Sequence, residues 1–131
     1  MFSVIVSIIA GAIGYLIVTF HFQPILRFRA VRFQIISDLV FYANAINAEN
    51  LNVEMQKRVE ERRVANRRHS ADLAGIYCEL PVYYKYYLSR RGMDIERAIK
   101  VLIGLSNTLE FEPANKAIDN INRCLRIKPF D

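Results

Sequence analysis

From Phe2 to Phe20 the chain is apolar at nearly every position and carries no charged side chain, and beyond that run apolar residues recur every three or four positions. The first pattern is that of a helix apolar all round, and the second that of a series of amphipathic helices. A helix rises about 1.5 Å per residue, so about twenty residues cross a hydrocarbon core of roughly 30 Å. Residues 1–23 are therefore expected to form a transmembrane anchor, with Phe2, Val4, Ile9, Gly11, Gly14, Leu16 and Phe20 in the span. A helix buried in a soluble core would read similarly, but a chain of 131 residues could hardly enclose one on every side. A cleaved leader would show basic residues before a shorter apolar stretch and small residues after it. Here the run follows Met1 directly and ends in Thr19, Phe20, His21, Phe22, Gln23 and Pro24, so the segment is expected to be retained.

Residues 24–131 read as one cytoplasmic bundle of about four to five helices, which makes the fold class all-α. Pro24 opens a helix to about Asn47, marking a kink at the membrane boundary or a junction between two helices. Its stripe is Phe28, Ile35, Leu39, Tyr42 and Ile46, while Phe33, Val40 and Phe41 supply a second apolar surface, as in a central helix or one that meets a partner. The Asn-rich segment 47–52 predicts a turn, and the next helix runs from about Val53 to Glu79, ahead of Pro81. Residues 82–91 form a short helix with Tyr83, Tyr84, Tyr86 and Tyr87, closed by Gly92. Asp94 caps a helix with the stripe Ile95, Ala98, Ile99, Leu102, Leu105 and Leu109. Pro113 starts a last one with the stripe Ala114, Ala117, Ile118, Ile121, Cys124 and Leu125, and Pro129 closes the chain. No alternation of strand type, internal repeat or low-complexity linker interrupts this series.

One seam breaks the pattern. On the Val53–Glu79 helix, Met55, Val59, Leu73, Ile76 and Leu80 share a stripe with Arg62, Asn66 and His69. The simpler expectation is that the helix extends past the bundle there and leaves Arg62 and Asn66 in water. The alternative is a polar network, for an anionic ligand or as a pH-responsive joint through His69, and burial of Arg62 would then need a partner such as Asp38 or Glu110.

Charge sets the orientation. Arg27, Arg29 and Arg32 follow the span closely and only the terminal amine precedes it, so the positive-inside rule places the domain in the cytoplasm and the N-terminus outside. Tyr15, Phe20, His21 and Phe22 suit the inner interface. Ser7-x-x-x-Gly11, with Gly14 nearby, offers a small-residue surface for helix association. The net charge of +5 belongs to the cytoplasmic part, where Arg63, Arg67 and Arg68 join the three juxtamembrane arginines as candidates for headgroup or anion contact. The same arginines allow a nucleic-acid reading, but no recognised binding motif accompanies them. The tyrosine helix, with Phe33, Val40 and Phe41, is the candidate partner surface.

Cys78 and Cys124, far apart in a reducing compartment, are expected to be unpaired small core residues, and two distant histidines assemble no zinc site. Glu110 and Glu112 read as solvated carboxylates. No G-x-S-x-G elbow, cysteine signature or phosphate loop is present, so neither catalysis nor a cofactor is expected. The segments DLVFYANAIN, RRHSADL and IKVLIGLSNTL, with Gly104, Leu105, Ser106 and Asn107 at their centre, give the chain a form that resembles a group of small single-pass bacterial inner-membrane proteins. That resemblance implies an inner-membrane location and carries no activity or site residues. The function expected is a non-enzymatic, membrane-anchored module that binds itself or a protein partner on the cytoplasmic face. The alternatives are a small effector of toxin or phage-defence type that oligomerises and perturbs the bilayer, and a membrane-tethered nucleic-acid binder.

Overall fold

The computed structural model describes residues 1–43, 52–108 and 110–127, and every regular element among them is helical. Helix α1 (Phe2–Ile17), one π-helical turn (Val18–Phe22) and α2 (Gln23–Phe41) follow one another without a break. Then come α3 (Val53–Glu79), α4 (Val82–Arg90), α5 (Ile95–Asn107) and α6 (Phe111–Cys124). The leading helix, Phe2–Phe41, is 40 residues long and apolar enough to cross a membrane, and its most apolar stretch is nowhere buried against the rest of the chain.

Pro24 produces neither a break nor a junction between two helices. Its ring has no N–H to donate and presses on the carbonyl of Phe20, which would interrupt an α-helix. The π turn just before it widens the ladder, so that the Gln23 N–H reaches the Val18 carbonyl, five residues back instead of four. One extra residue is absorbed without advancing the helix face, and the helix continues across the expected 23/24 boundary.

Local signals fix the other ends. Asn52 caps α3, its side-chain oxygen accepting the Met55 N–H at 2.9 Å, and Pro81 drives Leu80 into an extended conformation that stops it. The α4 helix closes at Gly92, whose φ of +75° suits a residue without a β-carbon, while the Met93 N–H bonds the Leu88 carbonyl. Asp94 caps α5 by accepting the Arg97 N–H at 3.0 Å. The last helix begins at Phe111, two residues ahead of Pro113. The expected turn residues from Asn47 to Leu51, and Ile46, Leu109 and Pro129, lie outside the described residues.

The core gathers Phe28, Ile35 and Leu39 of α2, Leu73 and Ile76 of α3 with Leu80, Leu88 of α4, Ile95, Ala98, Leu102 and Leu105 of α5, and Ala114, Ile121, Cys124 and Leu125 at α6. Helix α3 lies between α2 and α5, and α5 packs on α6. Two expected core residues are on the surface instead: Met55 sits in the exposed first turn of α3, and Cys78 faces solvent. Guanidinium groups complete the closure. Arg32 donates to the Leu125 and Arg126 carbonyls, both at 2.9 Å, and Arg126 donates to the Arg91 carbonyl at 2.7 Å, so the ends of α6 and α4 are tied to α2. Cations at helix C-termini also answer the negative end of the helix dipole.

Candidate functional site

The interrupted seam of α3 is buried, against the expectation that it would stand in water. Arg62 and Asn66 are each 3% exposed and His69 6%. The partner of Arg62 is neither Asp38 nor Glu110 but the Thr108 carbonyl just past α5, 2.6 Å from Nη2. Its Nε and Nη1, and the Asn66 amide nitrogen, are buried without an acceptor among the described residues, and burial, followed by the neighbouring Arg63 charge, lowers the pKa of the guanidinium. Asp38 instead accepts from His69 Nε2 at 2.6 Å, which links α2 to α3. With Nε2 engaged by Asp38, the other ring nitrogen, Nδ1, is sealed from solvent and meets no partner among the described residues. The pair borders a groove of about 620 Å3 lined also by Lys57, Glu60, Glu61 and Arg68. Both of its ring nitrogens are thus closed to a guest in that groove, one by Asp38 and one by burial, so the pair is built as a joint between helices.

The neighbouring arginines grip the same helix end. Arg63 donates to the Ser106 carbonyl at 3.2 Å and Arg67 to the Asn107 side-chain oxygen at 3.0 Å. Ser106 itself bonds locally to the Ile103 carbonyl. Arg68 is exposed and only 3.8 Å from Asp72, and Arg27 pairs with Glu79 at 3.4 Å on the surface. Glu112 pairs with Lys116 within the first turns of α6.

A second cluster lies where the apolar helix meets the domain. The Tyr83 hydroxyl is 3.3 Å from His21 Nδ1, and the two rings stack. Tyr84 meets Phe28 edge-on and stacks on Tyr87, so the Tyr84 ring leans on the core while Tyr83, Tyr86 and Tyr87 are exposed. Arg90 lies over the Tyr86 ring and Arg91 over that of Tyr87. Between α2 and α4 is a groove of about 650 Å3 bordered by Tyr83, Tyr84, Tyr87, Arg29, Arg32 and Arg91. Burial raises the Tyr84 pKa first, the Tyr87 neighbour adds to it, and the three arginines pull the other way. Arg91 was not singled out by sequence, although its place directly after the tyrosine run was the available signal.

Comparison with protein-family models, with curated proteins and with solved structures gives no match. The resemblance to small inner-membrane proteins rests on the sequence segments alone.

The third feature is a face. Phe2, Val4, Ile9, Leu16 and Phe20 are exposed, and Gly11 and Gly14 open onto empty space. On α2, Leu26, Phe33, Val40 and Phe41 also point away from the domain, Phe33 being 64% and Val40 58% exposed. At about 100° per residue, with the π turn absorbing one residue, Ser7, Gly14, Leu26, Phe33 and Val40 fall within about 40° of one another and Gly11 borders them. In an unbroken α-helix Ser7 and Gly14 would stand roughly 80–100° away from the middle of that line, with Gly11 nearer to it. The π turn therefore brings Ser7 and Gly14 of α1 into register with the apolar surface of α2.

Proposed function

We propose that this chain is a non-enzymatic, membrane-anchored interaction module, with its N-terminus outside and its helices on the cytoplasmic face of a bacterial inner membrane, that binds a second copy of itself along the Phe2–Phe41 helix. The single observation that carries this reading is the shared register of Ser7, Gly14, Leu26, Phe33 and Val40 on one unpartnered face. A soluble partner could cover only the α2 part of such a face. A parallel copy in the same membrane covers all of it, small residues allowing close approach in the lipid and apolar side chains burying area in water. Arg62, Arg63 and Arg67 are occupied by the end of α5, which supports a protein surface over a nucleic-acid one.

The test is crosslinking of the full-length chain in intact membranes through single cysteines placed along α2. Phe33→Asp with Val40→Asp is expected to lower the crosslinked dimer at least tenfold with helicity unchanged, because two charges would be trapped in an apolar contact. Dimer at undiminished yield in that variant would remove this face from the account. Dye leakage from cells on overexpression, abolished by Gly14→Leu, would instead assign the same face to a bilayer-perturbing assembly.

A further inference from the structure

We propose that the groove between α2 and α4 is a binding site for the phosphate of an anionic phospholipid. The proposal rests on the reading that α1 lies in a bilayer, and not on any protein partner.

Depth is the first argument. Tyr83 touches His21, which precedes the first charged side chain, Arg27, by six residues, about 9 Å along the helix. The first turn of α4 therefore stands beside that stretch of the apolar helix, and Val82, next to Tyr83 in the chain, is 82% exposed. Tyrosine prefers this layer, its ring among acyl carbons and its hydroxyl in water. The groove opens at the level of Arg29, about 3 Å along the axis from Arg27. One polar layer is roughly 5–7 Å deep and Arg29 lies about 9 Å past the expected end of the span at residue 23, so its long side chain reaches back to the phosphates.

Chemistry is the second. Three arginines and three tyrosines border the groove, and neither an aspartate nor a glutamate lines it. Arg32 is held half-buried by the Leu125 and Arg126 carbonyls, so it contributes a fixed positive field. Arg29 makes no hydrogen bond or ion pair among the described residues, and Arg91 has only the Tyr87 ring beneath it, 5.2 Å away. Two free guanidinium forks on opposite walls suit the oxygens of one phosphodiester, which accepts paired N–H bonds. The floor is apolar, through Ile25, Phe28, Leu88 and Met93, and matches the glycerol and first acyl carbons below the phosphate. The volume lies within the range usual for small-molecule sites.

The experiment measures lipid retained by the full-length chain, by native mass spectrometry from micelles doped with phosphatidylglycerol or phosphatidylcholine. Phosphatidylglycerol is expected to be retained roughly tenfold more, and Arg29→Gln with Arg91→Gln to abolish the preference, while Arg68→Gln leaves it unchanged. Equal retention of both lipids, or a preference that survives the double substitution, would overturn the site. Displacement of phosphatidylglycerol by millimolar inorganic phosphate would overturn it in favour of a free anion, and displacement by a glutamate-rich peptide in favour of a protein segment. Flotation with phosphatidylcholine vesicles tests the underlying reading separately. A chain that floats yet shows no lipid preference loses the groove alone, and one that stays in the soluble fraction loses the anchor as well.

Discussion

Two sets of arginines in this protein look alike in sequence and differ in what their forks hold. On α3, Arg62, Arg63 and Arg67 reach the Thr108 and Ser106 carbonyls and the Asn107 side chain, closing the end of α5. At the groove beside α4, the side chains of Arg29 and Arg91 meet no carbonyl or carboxylate among the described residues. A helix end offers free carbonyls and a partial negative charge, so an arginine that can reach one becomes part of the fold. An arginine with no such acceptor keeps its donors for something outside the chain. Local charge density is highest on α3, yet those forks are spent on the end of α5, while the groove pair meets no such acceptor among the described residues.

The most direct way to break the comparison is to remove each pair. Arg63→Ala with Arg67→Ala is expected to cost about 2–3 kcal/mol, from two charge-assisted bonds at a partly buried helix end and the lost dipole interaction. Arg29→Ala with Arg91→Ala is expected to change stability by less than about 0.5 kcal/mol, as surface substitutions usually do. Thermal unfolding followed by circular dichroism in one detergent reads both. Equal losses in the two double variants would erase the distinction.

Sequence made the helices legible because each end carried its own chemistry: Asn52 and Pro81 bound α3, Gly92 ends α4 and Asp94 starts α5. Core positions followed from a periodicity that the packing respects, from Phe28 and Ile35 to Ile121 and Leu125. The partner of Arg62 was not legible, since a carbonyl past the end of α5 is a backbone atom that every residue possesses and only the fold brings there. The π turn was hidden for another reason. Proline announces a lost donor, but whether the chain breaks or widens depends on the helix around it, whose backbone groups must still find partners. Met55 and Cys78 fit a buried pattern and yet sit where α3 has no neighbour to cover them.

A smaller effect sharpens the picture of the engaged set. Among the described residues Arg62 makes one hydrogen bond and leaves two buried donor nitrogens unmatched, so its burial works against the fold. Arg62→Met keeps most of the volume and removes those donors. It is expected to raise stability by about 1 kcal/mol, the sign seen when buried charged groups give way to apolar ones. A loss above about 2 kcal/mol would mean that the guanidinium finds acceptors in solution and that the seam is a satisfied network.

The smallest expected change comes at Arg126, where strain and hydrogen bonding oppose each other. Its φ of 49° lies in the left-handed region, which costs a residue with a β-carbon roughly 1 kcal/mol relative to glycine, while its side chain supports the Arg91 carbonyl at 2.7 Å. Arg126→Gly relieves the strain and loses an exposed hydrogen bond worth a similar amount, so stability should move by less than about 0.5 kcal/mol. Arg126→Ala loses the bond and keeps the strain, and should cost about 1 kcal/mol. Matching losses from glycine and alanine would show that the backbone there carries no strain, and that the Arg91 carbonyl alone accounts for the residue at this helix end.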